Sequence, residues 1–224
     1  MIVVHHLENS RSQRVLWLLE ELRLEYEIVR HARDPDTLLA PPELRQIHPL
    51  GKAPVVVAGD GTVLTESGAI IENLLARHDG DHILSPPAGS PQLDRYREWL
   101  HYAEGSAMPP LLLSLVLSRI RSAPMPFFVR PVARMIADRT MAGFVAPQLR
   151  LHLSHMEAAL KRSEWFAGDV FTAADIQMSF PVQGAAARDG LDGYPRLRGF
   201  LERIQSRPAY RRALERGGPF ELLR

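Results

Sequence analysis

The stretch APVVVAGDGTVLTES, residues 53–67, carries the clearest structural signal in the chain. Two apolar runs flank Gly59-Asp60-Gly61, and this pattern predicts a β-hairpin. Pro54 stands where the first strand should begin, and a proline there cannot donate a hydrogen bond to the neighbouring strand. The Ala53–Pro54 bond is therefore either part of an ordinary trans turn or a cis bond. A cis bond would leave the backbone of Ala53 free to pair with an extended, peptide-like ligand.

The segments around the hairpin alternate between strand and helix patterns. MIVVHH at the N-terminus and YEIVRH at 26–31 predict strands. Between them, apolar residues spaced from Val15 to Leu22 predict an amphipathic helix. A short helix is expected within 41–49, where prolines stand at both ends, and another helix follows the hairpin. The order β-α-β-α-β-β-α predicts a small α/β domain with a mixed four-stranded sheet.

The composition changes near residue 80, and no strand pattern follows. Residues 81–91 are rich in Gly, Pro and Ser and indicate a linker between a domain at 1–80 and a second domain at 92–224. The second domain is expected to be all-helical, and Pro109 and Pro110 should kink or break its first helix. Its predicted helices lie at 91–118, 126–163, 172–188, 195–206 and 208–216.

One helix start in the second domain has unusually complete capping signals. In VFTAADIQMSF, Thr172 is the expected N-cap and Asp175 follows at the spacing of a capping box. Phe171 and Ile176 stand at the positions of a hydrophobic staple. We therefore interpret Asp175 as a structural residue rather than a catalytic one.

The overall composition argues against several classes of function. With 27 basic and 26 acidic residues, the net charge is +1, which gives no electrostatic signature for binding nucleic acid. The chain has no cysteine, so it can form neither disulfides nor cysteine-based metal centres. The longest apolar stretch, residues 108–117, is too short to span a bilayer. We expect a cytoplasmic protein that uses no metal and binds neither nucleic acid nor membranes.

Two helix starts in the first domain combine residues suited to binding. Ser10 and Ser12 lie where a strand passes into a helix, and a hydroxyl there either donates to a thiolate or oxyanion or merely caps the helix. Glu66 and Ser67 open the helix after the hairpin, and together they suit the ammonium and carboxylate of an α-amino acid. The alternative for that pair is an ordinary helix with an acidic first turn.

Taken together, these motifs resemble the cytosolic glutathione S-transferase family. NSRSQRVLWLLEEL at 9–22, IHPLGKAPVV at 47–56, TESGAII at 65–71 and FTAADI at 171–176 occur in the family's order. The similarity spans essentially the whole chain and is strongest in the first 80 residues. LHYAEGSAMPPLL, at 100–112, resembles a bacterial and fungal branch of the family. The resemblance implies a thioredoxin-like domain followed by an all-α domain, in a homodimer.

The resemblance also implies roles for particular residues toward glutathione. Ser10 matches the serine that contacts the glutathione sulfur in Ser-type members, with Ser12, Asn9 or a bound water as alternatives. Residues matching the rest of the glutathione site are His48, Lys52, Ala53, Pro54, Glu66 and Ser67. His48 stands where many members have Asn, and residues 36–42 offer no basic residue for the glycine carboxylate.

A second set of residues is expected around the electrophile and the second subunit. Tyr102, Met108 and Leu112 are candidates for the wall of the electrophile pocket between the domains. Glu104 is a candidate for contacting the glutathione amine of the partner subunit. Arg11 and Arg14 could assist the thiolate through their charge, although a surface or interface role is favoured for each.

The implied activity is glutathione transfer to small hydrophobic electrophiles, in detoxification, with glutathione peroxidase as a side activity. A free thiol has a pKa of about 8.5, and lowering it by about two units takes roughly 2.7 kcal/mol. A hydrogen bond from Ser10 to the thiolate can supply about 1.5–3 kcal/mol, and a helix terminus about 0.3–1 kcal/mol. The alternatives are a non-catalytic protein that binds glutathione or an apolar ligand, and a purely structural protein. Thiol-transferase chemistry is disfavoured because no cysteine can form the mixed disulfide.

Overall fold

The computed structural model describes residues 1–222, except for the side chain of Asp189. Within that range the N-terminal part forms a four-stranded mixed sheet with helices, in the predicted order β-α-β-α-β-β-α. Its elements are β1 (Ile2–Leu7), α1 (Ser12–Glu21), β2 (Tyr26–His31), α2 (Leu44–Ile47), β3 (Val55–Val57), β4 (Val63–Thr65) and α3 (Ser67–His78).

The sheet has the strand order β2-β1-β3-β4, so the first strand lies inside it. Val4 in β1 pairs with Ile28 of parallel β2 on one side and with Val56 of antiparallel β3 on the other. Strands β3 and β4 form the predicted hairpin, and Gly59-Asp60-Gly61 lies in the turn that connects them. The Ala53–Pro54 bond immediately before β3 is cis.

The rest of the described chain is helical. Its helices are α4 (Gln92–Tyr102), α5 (Met108–Ser122), α6 (Arg130–Thr140), α7 (Ala146–Arg162), α8 (Ala173–Asp189), α9 (Pro195–Ser206) and α10 (Pro208–Gly217). The predicted thioredoxin-like α/β domain and all-α domain are thus confirmed as the fold class. Turns connect α3 to α4, while the domain limits of 1–80 and 92–224 stay a prediction. None of the helices within residues 1–222 combines the length and the apolar character needed to cross a bilayer.

Prolines shape the two long helical stretches. A π-helical turn at Ala103–Ala107 joins α4 to α5 just before Pro109 and Pro110, and a second one at Met141–Val145 joins α6 to α7 just before Pro147. A proline removes a backbone donor and crowds the carbonyl four residues earlier, so the helix widens over the preceding turn. The predicted interruption near Pro109 is therefore a widened turn within a continuous helical stretch. The second turn, at Pro147, was not predicted.

Helix α1 is buried on both faces, whereas the sequence suggested one apolar face. Every residue from Ser12 to Glu20 is buried, because α1 packs on the sheet and α3 on one side and on α8 and α10 on the other. Trp17 contacts the rings of Phe171 and Tyr210 from the helical domain. The helix that begins beside Ser10 is thereby held rigidly between the two parts of the protein.

The α8 start confirms the capping box. Asp175 is fully buried, and its two carboxylate oxygens accept hydrogen bonds from the Phe166 amide at 2.9 Å and the Thr172 amide at 2.9 Å. Burial raises the pKa of Asp175 to about 6, although these hydrogen bonds oppose the shift. Phe171 and Ile176 are both buried, as the staple predicts.

Candidate active site

Two adjoining clefts lie beside the N-termini of α1 and α3. The first, called here the Ser67 cleft, has a volume of about 300 Å³ and includes Glu66, Ser67 and Glu104. The second, called here the Ser10 cleft, has a volume of about 400 Å³ and includes Ser10, Met108 and Leu112. Arg11, Lys52 and Ala53 line both clefts. Because the two clefts share these three residues, they form one groove that runs from Ser67 to Ser10, and every predicted site residue except Tyr102 lines it.

At one end of the groove, the hydroxyl of Ser67 accepts two hydrogen bonds from inside the protein. Arg14 Nη2 donates to it over 2.9 Å and Gln177 Nε2 over 3.2 Å. A serine oxygen has two lone pairs, so these donors leave its own proton available for an acceptor. The Ser67 hydroxyl is therefore set up as a donor, which suits a carboxylate.

A small charge cluster supports this end of the groove. Arg14 is only 2% exposed and donates to Glu104 over 2.6 Å, while Arg11 Nε lies 2.9 Å from the same carboxylate. Burial lowers the pKa of Arg14 to about 10, although Glu104 opposes the shift. Burial also raises the pKa of Glu104, but the two arginines outweigh it and leave that pKa below its ordinary value. Arg14 and Glu104 therefore carry charge at neutral pH, and Arg14 also donates to the Gln177 carbonyl oxygen on α8.

Glu104 is occupied within its own chain, because both arginines that it contacts belong to the same subunit. It also lines the Ser67 cleft of that subunit. Its contact with the glutathione of a second subunit stays a prediction.

The middle of the groove is formed by the segment before β3. Ala53, Pro54, His48 and Lys52 all line the Ser67 cleft, as expected from the sequence. Lys52 is exposed, and Ala53 is partly buried. Ala53 precedes β3 and belongs to no strand. Within residues 1–222 its amide and carbonyl make no main-chain hydrogen bond, so both groups are available to a ligand.

At the other end of the groove, Ser10 belongs to a hydroxyl network. Ser10 Oγ lies 2.7 Å from the Leu7 carbonyl oxygen and 2.8 Å from Ser12 Oγ. It also accepts a hydrogen bond from the Ser12 amide at 3.2 Å. Ser10 is 6% exposed and Ser12 is fully buried, and of the two only Ser10 lines the cleft.

The ring of His6 contacts the Ser12 hydroxyl. Burial lowers the pKa of His6 to about 4, and nearby Arg30 adds to the effect, so the ring is neutral at pH 7. The Gly217 backbone acts in the opposite direction and raises the pKa, but it does not outweigh burial. His6 Nδ1 lies 2.9 Å from Ser12 Oγ, which also lies 3.0 Å from the Leu7 carbonyl oxygen, and a neutral imidazole has one nitrogen that can accept. We assign the Ser12 proton to His6, which leaves Ser10 as the hydroxyl that can turn toward a ligand.

Asn9 also lies at this end of the groove, with a positive φ of 51°. Its side-chain oxygen accepts a hydrogen bond from the Glu221 amide at 2.7 Å, which ties it to the C-terminal segment. Asn9 therefore remains a weaker alternative to Ser10 for contacting a sulfur atom.

The candidates for the electrophile pocket separate into two groups. Met108 and Leu112 line the Ser10 cleft, and their contact with an electrophile stays a prediction. Tyr102 lines neither cleft, because its hydroxyl lies 2.6 Å from His152 Nδ1 on α7 and its ring packs on Trp99. We therefore remove Tyr102 from the proposed pocket. Sequence reasoning missed Phe180, Leu222 and Arg33, which line this cleft from distant parts of the chain and carry no local motif.

The fold and the groove define a thioredoxin-like protein with a cleft beside a serine hydroxyl at a helix start. Residues 10–77 match the family model described as "Glutathione S-transferase, N-terminal domain". Residues 123–208 match "Glutathione S-transferase, C-terminal domain".

Individual proteins show the same similarity along almost the whole chain. Glutathione S-transferase 3 of Schizosaccharomyces pombe is 38% identical, over 96% of this chain and 88% of its own. Glutathione S-transferase 1 of Saccharomyces cerevisiae is 35% identical, over 96% and 95%. The crystal structure of a glutathione S-transferase from Actinobacillus pleuropneumoniae is 33% identical, with a TM-score of 0.81 over 98% of this chain and 94% of that one.

The chain belongs to the glutathione S-transferase family. The sequence-based prediction of a glutathione S-transferase is confirmed at this level. Assignment to the Ser-type branch stays a prediction.

Proposed function

We propose that the protein activates the thiol of glutathione for attack on hydrophobic electrophiles, with Ser10 as the catalytic residue. The observation that carries the proposal is the continuous groove from Ser67 to Ser10. Extended glutathione would have its γ-glutamyl end at Glu66 and Ser67 and its cysteinyl backbone at Ala53. Its sulfur would then lie at the Ser10 hydroxyl.

Each proposed contact matches the chemistry of the ligand. The Ser67 proton suits the γ-glutamyl carboxylate, and the Glu66 carboxylate suits its ammonium. The free amide and carbonyl of Ala53 suit a peptide backbone added alongside the sheet. His48 and Lys52 lie along the same segment, and Lys52 carries a positive charge suited to the glycine carboxylate.

The energy available from Ser10 is smaller than the sequence alone suggested. A hydrogen bond to a thiolate is worth about 1.5–3 kcal/mol, but turning the hydroxyl gives up its neutral bond to Leu7, worth about 0.5–1.5 kcal/mol. The α1 N-terminus adds about 0.3–1 kcal/mol. The balance, about 1–2 kcal/mol, lowers the thiol pKa by roughly one unit. At neutral pH this still increases the thiolate fraction several-fold.

Conjugation then needs no further catalytic group on the sulfur. The thiolate donates an electron pair to the electrophilic carbon and forms a C–S bond. A leaving group departs with its bonding pair, or an activated double bond is saturated and takes a proton from water. With an organic hydroperoxide, the thiolate would attack the terminal oxygen and break the O–O bond, giving a sulfenic acid and an alkoxide that takes a proton from water. A second glutathione thiol would then attack the sulfenic sulfur, forming the disulfide and releasing water. That peroxidase activity is a subordinate part of the proposal.

Turnover and binding by the wild type and Ser10→Ala test the proposal. We expect glutathione-dependent turnover of chlorodinitrobenzene by the wild type, and a loss of kcat of about fivefold or more in Ser10→Ala at pH 6.5, with nearly unchanged glutathione affinity. Ser12→Ala is the matched control and should retain kcat. Normal turnover in Ser10→Ala would overturn the assignment of Ser10. Binding without turnover in the wild type would favour a non-catalytic glutathione-binding protein.

We also propose a cytoplasmic homodimer with a detoxifying role. An unusually exposed α6 supports the homodimer: in this helix only Ala137 is buried, while Val132, Met135 and Ile136 are exposed. Patches of this kind usually mark an interaction surface. Light scattering after size-exclusion chromatography should give twice the 25.2 kDa chain mass. A mass of one chain would contradict the homodimer.

A further inference from the structure

The Ser10 cleft combines an apolar wall with many cations. Its apolar wall includes Met108, Leu112, Leu115, Phe180 and Leu222. Its basic residues are Arg11, Arg33, Lys52, Arg119 and Arg188. Among the lining residues that the structure describes, none is an Asp or Glu. A hydrophobic electrophile alone would not require this charge.

Most of these cations have partners that belong to the fold. Arg11 is paired with Glu104. Arg33 donates to the carbonyl oxygens of Glu8, Asn9 and Leu38 at 2.9–3.2 Å. Arg188 donates to the Leu111 carbonyl oxygen. These three side chains are held in place and shape the cleft.

Arg119 differs from these three. It is exposed in the last turn of α5, on the helical wall of the cleft. Its carbonyl oxygen accepts a hydrogen bond from the Ser122 hydroxyl, but the described part of the chain provides its guanidinium with neither an ion pair nor a hydrogen bond. By contrast, Arg121 on the same helix is paired with Asp138 at 3.4 Å and does not line this cleft.

Glutathione, bound as proposed above, would not use Arg119. Its γ-glutamyl carboxylate would lie at Ser67, and its glycine carboxylate would lie on the thioredoxin-like side near Lys52. Arg119 projects from the opposite wall, beside the apolar residues Leu112 and Leu115 of the same helix. The Arg119 guanidinium is therefore available to bind the second substrate.

We infer that the second substrate is an apolar electrophile that carries a carboxylate or similar anionic group, which binds Arg119. This inference rests on the proposed function, because it names the substrate class of that same site. Arginine suits a carboxylate because its planar guanidinium can donate two parallel hydrogen bonds. The anionic group takes no part in the bond changes. The thiolate adds to the electrophilic carbon, and the displaced π electrons take up a proton from water.

Ethacrynic acid and its methyl ester form a matched pair of probes, since both carry the same unsaturated ketone and only the acid is anionic. We expect Arg119→Gln to lower kcat/KM for the acid by about tenfold, and to leave the ester within about twofold. Arg119→Lys should recover part of the loss, and Arg121→Gln, the control from the same helix, should leave both unchanged. An equal loss for acid and ester, or no loss, would overturn the inference.

The two proposals fail in different ways. If the wild type converts neither probe, the proposed function fails, and the dissociation constant of ethacrynic acid measured by calorimetry then decides the inference. A dissociation constant for the acid that is about tenfold higher in Arg119→Gln than in the wild type, with an unchanged constant for the ester, would support an anion site at Arg119. Equal constants in the wild type and the variant would overturn it.

Discussion

Arg14 in α1 donates to the hydroxyl of Ser67 at the start of α3, with 2.9 Å between Nη2 and Oγ. The same guanidinium donates to the Gln177 carbonyl oxygen at 2.8 Å and to Glu104 at 2.6 Å. One buried side chain thus connects the two parts of the protein and orients a hydroxyl at the groove. The proposed γ-glutamyl site therefore depends on a residue that does not line it.

Arg14→Lys should weaken glutathione binding. A lysine keeps the charge, but its compact head cannot serve these three acceptors in the same geometry. We expect the dissociation constant for glutathione, measured by calorimetry, to rise about three- to tenfold, because the Ser67 hydroxyl loses its fixed orientation. Arg77→Lys, in an exposed pair with Asp60, is the matched control. An unchanged constant in Arg14→Lys would contradict the orienting role.

Ser12→Ala should affect stability more than chemistry. The Ser12 hydroxyl accepts from the Leu7 amide at 3.2 Å and contacts His6 Nδ1 at 2.9 Å, so its removal leaves both groups buried without this partner. We expect the free energy of unfolding in urea to fall by about 2 kcal/mol. The kcat of the folded enzyme should stay within about twofold of the wild type. A large loss of kcat at unchanged stability would instead point to Ser12 as the sulfur contact.

His6 should make stability fall in mild acid. Burial lowers its pKa from 6.5 to about 4 in the folded state, so the unfolded chain binds the proton more readily. The stability due to neutral His6 is therefore complete above about pH 6.5 and is lost as pH falls toward 4, by roughly 3 kcal/mol. Buried Asp175 has the opposite effect on stability: its folded pKa is raised to about 6, so the folded chain binds that proton more readily and gains stability as the pH falls.

His6→Asn separates these two effects, since Asn retains an acceptor for Ser12. Between pH 6.5 and pH 4, the wild type should lose unfolding free energy relative to His6→Asn. The loss should be most of the roughly 3 kcal/mol attributed to neutral His6. His101→Asn, at an exposed position on α4, is the control. A difference that does not vary with pH would refute the role of His6.

Asp175→Ala should destabilise the helical domain without changing the groove chemistry. The substitution leaves the Phe166 and Thr172 amides and the Thr172 hydroxyl without their acceptor. We expect the unfolding free energy to fall by about 2–4 kcal/mol, with KM for glutathione unchanged in the folded protein. Asp192→Ala, at a fully exposed position, should change stability by less than about 0.5 kcal/mol. A native-like stability for Asp175→Ala would show that the buried carboxylate is dispensable.

The sequence predicted the elements whose signals are local. The β2 strand at 26–31 and the hairpin around Gly59-Asp60-Gly61 occur where the pattern placed them. The π-helical turn before Pro147 could also have been predicted from the sequence, because Pro147 lies inside the predicted helix at 126–163 and a proline interrupts a helix. The sequence also placed Glu66 and Ser67 correctly at a helix start, because capping patterns are local.

The contacts that orient the site could not be read from the sequence. Arg14 meets Ser67 across 53 positions and Gln177 across 163, and no periodicity signals such a pair. The Ser10 hydroxyl was expected to face a ligand, yet it bonds to Leu7 within the loop. Tyr102 was expected in the pocket from its place in a motif, but its direction is fixed by His152 from another helix.

The central claim is that the Ser10 hydroxyl stabilises the glutathione thiolate, and titration of the bound thiol tests it most directly. Thiolate absorbance of the saturated complex, followed against pH, gives the pKa of the sulfur without any electrophile. We expect the wild-type complex to titrate roughly one unit below free glutathione, and Ser10→Ala to move back toward the free value, while Ser12→Ala stays near the wild type. A pKa that is the same in Ser10→Ala and wild type would contradict the account.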